Sequence, residues 1–221
     1  MVWGVPDGVS MLAMTGWLAE GRRLVYVARD DARMMAMRDS VARLSPAVPV
    51  HVFPAWDCLP YDRLSPQNAL VGQRVETLAH LAGHATTEGG ALLVTTVNAL
   101  LQRVPAPGYF ADRSLALQPG DAAGPARLVE FLSGQGYLRT DTVRETGEFA
   151  LRGGILDIFP PGQQTPVRLD FFGDELESLR SFDAATQRGG EKMAQLVLRP
   201  VAEFQLDEAA IERFRTGYRA A

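Results

Sequence analysis

The sequence predicts an α/β chain with two textures, and three observations carry that reading. In residues 1–112 short apolar runs alternate with stretches of helical spacing, the pattern of a parallel sheet with crossover helices. From about Arg113 strand signals dominate, so the second half reads as a compact α+β unit. Within it, Arg152–Phe182 reads as three strands joined by two turns.

Residues 8–20 have a helical composition that ends near Gly21. Leu24–Ala28 (LVYVA) is a short apolar run, expected as a buried strand. Asp30 suits a helix N-cap, and Met34, Met37, Val41 and Leu44 recur at spacings of three and four, which makes the helix that follows amphipathic. Pro46 and Pro49 end it, and Val50–Phe53 is a second strand. After the loop Pro54–Pro66 a helix starts near Gln67, with Val71, Val75, Leu78 and Ala82 expected as its buried stripe. Gly89-Gly90 leads into a third strand, Ala91–Thr95, and a short helix through Leu101.

Beyond the break at Pro105–Gly108, Leu115–Leu117 reads as a strand and Leu128, Phe131 and Leu132 mark a helix, with Pro125 tolerated in its first turn. Tyr137–Val143 is expected as a strand. Gly153-Gly154 opens the next, Ile155–Phe159, which Pro160-Pro161-Gly162 stops. Gly173-Asp174 is a two-residue hairpin turn between Val167–Phe172 and Glu175–Phe182. Leu196–Leu198 is a last short strand. Asp207 caps a helix carrying Ile211, Phe214 and Tyr218 on one face, and its run into the chain end reads as a fragment of something longer.

An apolar content of 47% among 221 residues is enough for one large core or two smaller ones. A net charge of -4 argues against a general nucleic-acid surface, which would be basic. The single Cys58 excludes an internal disulfide framework. His80 and His84 share helical spacing but lack the intervening Glu of a zinc motif, so no metal is expected. No apolar run approaches the ~20 residues of a membrane span, and a cytoplasmic chain is expected.

Counted from Gly4 as a phosphate loop, the second glycine falls on Val9, the lysine on Ser10 and the hydroxyl residue on Met11. Pro6 removes a backbone N–H besides, and the only lysine is Lys192. Cys58 has no base that sequence can place beside it. No catalytic residue and no cofactor are therefore expected.

The strand Val167–Phe172 is the most informative stretch. Alternation puts Val167, Leu169 and Phe171 on a core face and Arg168, Asp170 and Phe172 on the other. An aromatic on a charged face is what an interface anchor looks like. The alternative is a surface in which Phe172 tucks under a loop while Arg168 offsets Asp170 and Glu177, the latter expected opposite Asp170 across the turn.

Several motifs in order resemble one family. Trp56-Asp-Cys-Leu-Pro-Tyr-Asp62 with Ser65-Pro66, Thr96–Arg103, Gly147–Gly153 with Leu156–Pro160, and Arg168–Phe172 are similar to the UvrB-like amino-terminal part of the bacterial transcription-repair coupling factors (Mfd). The resemblance covers nearly the whole chain. It implies a degenerate RecA-like, helicase-like α/β domain over residues 1–112, interrupted by an inserted α+β domain over 113–199, with 200–221 returning to the first domain. It implies a non-catalytic module that binds UvrA through Arg152, Arg168 and Phe172 and brings nucleotide excision repair to a stalled RNA polymerase. RNA polymerase, DNA and ATP would be met by downstream domains of the full-length ATP-dependent translocase, including one that masks this face. UvrB itself has an intact nucleotide site and a long DNA-gripping hairpin, for which the short stretch from Tyr61 to Gln67 leaves no room. The alternatives are a cryptic nucleotide-dependent helicase-like ATPase using residues 4–11, or a DNA-binding adaptor acting through scattered arginines.

Overall fold

The computed structural model describes residues 6–58, 66–83, 89–204 and 208–220. Gly4 and Val5 of the supposed phosphate loop, the loop residues 59–65, His84 and the helix cap Asp207 lie outside the described residues. The chain divides into two compact units, Met1–Pro107 and Gly108–Ala221.

The first unit runs α1 (Asp7–Ala19), β1 (Arg23–Ala28), α2 (Asp31–Leu44), β2 (Val50–Phe53), α3 (Asn68–Gly83), β3 (Ala91–Thr96) and α4 (Val97–Leu100). Its strands form a three-stranded parallel sheet in the order β1-β3-β2. Helical spacing decides what packs on it: Met14 and Leu18 of α1 and Met34, Met37 and Val41 of α2 meet Leu92 and Val94 in one core, while Leu44 is exposed. Asp30 caps α2 by accepting from the Arg33 N–H at 2.8 Å. That bond holds the Asp30 carboxyl below its ordinary pKa.

α3 departs from the expected stripe. Val75 is buried, but Val71, Leu78 and Ala82 are only half-buried, and Gly72, Arg74, Thr77 and Ala79 take the inner positions. Polar partners explain the difference. Thr77 Oγ1 donates to the Val52 carbonyl at 2.6 Å, satisfying a strand oxygen from the helix side. Arg74 is 0% exposed; its Nη1 donates to Pro54 O at 2.6 Å and to Gln102 Oε1 at 2.9 Å. Its guanidinium also lies 4.2 Å from the Phe53 ring centroid and 4.8 Å from that of Trp56. Gln102 Oε1 accepts in addition from the Trp56 N–H at 3.1 Å. Arg74 thus ties the segments after β2 and after β3 to α3.

The second unit contains α5 (Gly108–Ala111), β4 (Leu115–Leu117), α6 (Pro125–Gly134), β5 (Leu138–Arg139), β6 (Glu148–Arg152), β7 (Ile155–Ile158), β8 (Val167–Phe172), β9 (Glu175–Phe182), β10 (Gly189–Lys192), β11 (Leu196–Leu198) and α7 (Glu208–Ala220). A six-stranded sheet in the order β10-β9-β8-β7-β6-β5 is antiparallel except at β5-β6. β4 and β11, both expected as strands, pair with each other as a two-stranded ribbon. Leu128 and Leu132 of α6 join the ribbon's leucines and the inner face of the sheet (Phe149, Leu156, Ile158, Val167, Leu169) in one core.

Three expectations are corrected here. The strand expected over Tyr137–Val143 reduces to Leu138–Arg139, because the chain then turns to bury Val143 against Ala150 and Phe182 on the sheet's outer side. The strand expected to reach Phe159 ends at Ile158. Glu177 does not stand opposite Asp170. A bulge in β9 makes Ser178 the partner of Asp170, whereas Leu176 pairs with Phe171. The bulge lets both Leu176 and Leu179 face inward although they are three residues apart.

The Arg74 network predicts a stability effect. Arg74→Ala leaves the Pro54 and Gln102 oxygens without that donor in a buried site and should cost about 3 kcal/mol or more. Arg74→Lys should not restore the loss, since an ammonium lacks the flat face that stacks between two rings. Urea unfolding followed by circular dichroism measures both.

Candidate functional site

The outer face of the six-stranded sheet is built around a carboxylate. Alternation along β7 turns Leu156 and Ile158 inward and therefore Ile155 and Asp157 outward. Asp157 stands between Ala150 on β6 and Arg168 on β8, each its direct cross-strand partner. The small Ala150 leaves room for Arg152, two residues further along β6, to reach back. Arg168 donates from Nε to Asp157 Oδ1 at 2.7 Å and from Nη2 to Oδ2 at 2.9 Å. Arg152 donates from Nη2 to the same Oδ2 at 2.6 Å. Asp157 itself is 0% exposed.

The two arginines differ in what they show to solvent. The Arg168 side chain is 19% exposed and the Arg152 side chain 50%. Arg168 lies with its guanidinium 4.8 Å from the Phe182 ring centroid, so it is held by a ring as well as by the carboxylate. Its hydrogen bonds to Asp157 push its pKa above the ordinary value.

A second polar row runs beside the first. Ser178 Oγ donates to Asp170 Oδ2 at 2.6 Å, and Arg180 Nη2 lies 3.2 Å from both groups. Ile155 of β7, directly opposite Asp170 on β8 and Arg152 on β6, puts a part-exposed apolar side chain between these charges.

Phe172 completes the face. It lies on β8 on the same side as Arg168, four residues on, or about 13 Å at the usual strand rise. Phe171 turns the other way and packs against the core. Phe172 is 78% exposed, so no loop covers it. Gly153 and Gly173, each with φ of 61°, form the tips of the hairpins β6-β7 and β8-β9 at this end of the sheet. A positive φ there lets the strands reverse within two residues, which keeps Arg152, Ile155 and Phe172 near the sheet's rim.

The sequence-derived residues Arg152, Arg168 and Phe172 thus share one face. Sequence reasoning missed Asp157, which it placed in a strand without assigning a face. It also missed Ile155, Ser178 and Arg180. The signal for Asp157 was present: a lone carboxylate flanked by Leu156 and Ile158 in a strand has to look away from the core.

Elsewhere the geometry offers less to a ligand. Cys58 is a free, half-buried thiol. No group of three or more His, Cys, Asp or Glu poised for a metal occurs among the described residues. Ser10 and Met11, the lysine and hydroxyl positions of the supposed phosphate loop, lie within α1. A cleft of about 420 Å³ in the first unit is lined by residues at the starts of β1 and β3, such as Arg23, Leu24 and Ala91. α/β sheets hold nucleotides at the opposite, carboxyl ends of their strands. No helix among the described residues is long and apolar enough to cross a membrane.

A stability test separates the arginines. Arg168→Ala removes two of the three hydrogen bonds described for the buried Asp157 carboxylate and leaves it to the half-exposed Arg152 alone, and should cost about 3 kcal/mol. Arg152→Ala leaves Asp157 paired with Arg168 and removes a half-exposed partner, so about 1 kcal/mol or less is expected. Side-by-side urea unfolding reads the gap, and equal losses would contradict this arrangement.

Comparison with known proteins places the face in context. Residues 115–204, which include all of it, match the UvrB interaction domain family. The chain is 34% identical over 215 residues to the transcription-repair-coupling factor of Haemophilus influenzae, covering 97% of this chain and 18% of that protein. It is 37% identical over 196 residues to that of Escherichia coli (89% and 17%) and 42% identical over 146 residues to that of Mycobacterium tuberculosis (63% and 11%). The chain therefore spans less than a fifth of the length of these curated relatives.

Proposed function

We propose that this chain, whose residues 115–204 belong to the UvrB interaction domain family and which is related along nearly its whole length to transcription-repair-coupling factors, is a non-catalytic docking module for UvrA. The observation that carries the reading is the exposed Phe172 on a strand face whose two arginines are already held in place by Asp157. Arg and aromatic side chains dominate protein-binding energy, and a ring presented beside pre-placed cations needs little reordering on contact. Arg152, Arg168 and Phe172 are the contact residues we assign.

In this reading the stretch over 113–199 is the inserted UvrA-binding domain, and residues 1–112 are a degenerate helicase-like domain. The carboxyl ends of β2 and β3, where a working α/β site would hold phosphates, are occupied by Phe53, Arg74, Trp56 and Gln102. That arrangement supports a scaffold role for the first unit. In the longer relatives the docking event would recruit nucleotide excision repair to a stalled RNA polymerase. RNA polymerase, DNA and ATP would then be handled by parts outside this chain.

Calorimetric titration with UvrA tests the reading. Phe172→Ala should weaken binding by about 2 kcal/mol, or roughly 30-fold. Arg152→Glu should do at least as much and is the milder charge reversal, since the half-exposed Arg152 makes one of the bonds to Asp157 and can turn to solvent, whereas the mostly covered Arg168 makes two. Full binding by both Phe172→Ala and Arg152→Glu would defeat the proposal. Saturable micromolar binding of a fluorescent ATP analogue would favour a nucleotide-dependent enzyme instead.

A further inference from the structure

We infer that Asp157 is a positioning residue for the docking face: a carboxylate beyond any partner's reach whose two oxygens set the pose of both contact arginines. The inference rests on the docking reading above. Asp157 has no exposed surface, so whatever it contributes to binding passes through Arg152 and Arg168. Those two residues come from strands on opposite sides of β7, and in sequence they lie sixteen positions apart (168 − 152). The shared Oδ2, at 2.6 Å from one guanidinium and 2.9 Å from the other, joins them.

The hydrogen-bond inventory shows what is left for a partner. A guanidinium carries five N–H groups. Arg168 gives two to Asp157 and Arg152 gives one. The others remain available, and their directions are set by the bonds already made, because a guanidinium is planar and rigid. The cluster of two guanidinium groups and one carboxylate keeps a net positive charge. It therefore suits a carboxylate on the partner, delivered next to the apolar patch of Ile155 and Phe172.

A structural role alone would not require a carboxylate here. Buried ion pairs add little net stability over apolar residues of similar volume, because desolvation offsets the attraction. Ala150 and Phe182, on the same outer side, already form an apolar cluster with Val143 that such a residue could extend. What an apolar residue could not do is hold two long cationic side chains in one pose before the partner arrives.

The test is a double-mutant cycle on UvrA affinity with the whole chain, using Asp157→Asn, Arg152→Ala and the pair together. Asp157→Asn keeps the shape and should weaken binding about 10-fold in the unaltered background. In the Arg152→Ala background its effect should shrink to about 3-fold or less, because one of the groups it positions is gone. An equal effect in both backgrounds, or wild-type affinity for Asp157→Asn, overturns the inference. Absence of binding by the unaltered chain would instead overturn the docking reading. A second measurement needs no substitution at Asp157. In the free protein, nitrogen-15 relaxation of the arginine side chains should show Arg168 and Arg152 more ordered than Arg29, whose 79% exposed side chain pairs at 2.9 Å with the solvent-facing Asp30 rather than with a buried carboxylate. Contact arginines as mobile as Arg29 would also overturn it.

Discussion

A carboxylate that never meets solvent governs the outer face of the six-stranded sheet. Asp157 is committed by strand alternation to the side away from the core, yet it is fully covered there. An isolated buried charge would cost several kcal/mol, so it persists only because Arg168 and Arg152 close over it. The same closure orders the arginines. Arg168 is the main counter-ion and is mostly covered itself, whereas Arg152 stays half in water. One ion cluster thereby divides the labour between holding the sheet's outer surface together and showing charge to the outside.

What lies around this cluster follows from small departures from ideal strands. The β9 bulge brings Ser178 rather than Glu177 opposite Asp170, and a hydrogen-bonded row of Asp170, Ser178 and Arg180 results. Without the bulge, the two-residue turn would still set Leu176 opposite Phe171, but Leu179 would stand opposite Arg168 on the outer face, out of the core it now fills. The two glycine-tipped hairpins end the strands abruptly, so Phe172 stands at the rim with nothing over it. In the first unit a buried arginine plays a different part. Arg74 is surrounded by carbonyl oxygen, amide oxygen and two rings, and it binds segments of chain to one another rather than presenting charge.

Much of this was legible in the sequence where local rules decide. Val167–Phe172 and Glu175–Phe182 are strands with the expected bounds, because a Gly-Asp turn separates two runs rich in alternating apolar residues. Asp30 caps α2 for an equally local reason. The misreadings share a different origin. Leu176 and Leu179 break the period of two, and that spacing marks a bulge which simple alternation overlooks. Aliphatic spacing in α3 points to a stripe of Val71, Val75, Leu78 and Ala82, while a buried arginine and threonine take inner positions because strand and loop carbonyls need donors. The pairing of Leu115–Leu117 with Leu196–Leu198 joins segments about eighty residues apart in sequence, and no local pattern specifies it. The role of Asp157 became visible only when the register set it beside Arg168.

The most direct test of the docking face is a hydrogen–deuterium exchange footprint of UvrA on the whole chain. The account predicts slowed exchange at the amides of Arg152–Asp157 and of Phe172–Glu175, the rim and centre of the face. Protection confined to other segments, with exchange at these two stretches unchanged by saturating UvrA, would contradict it.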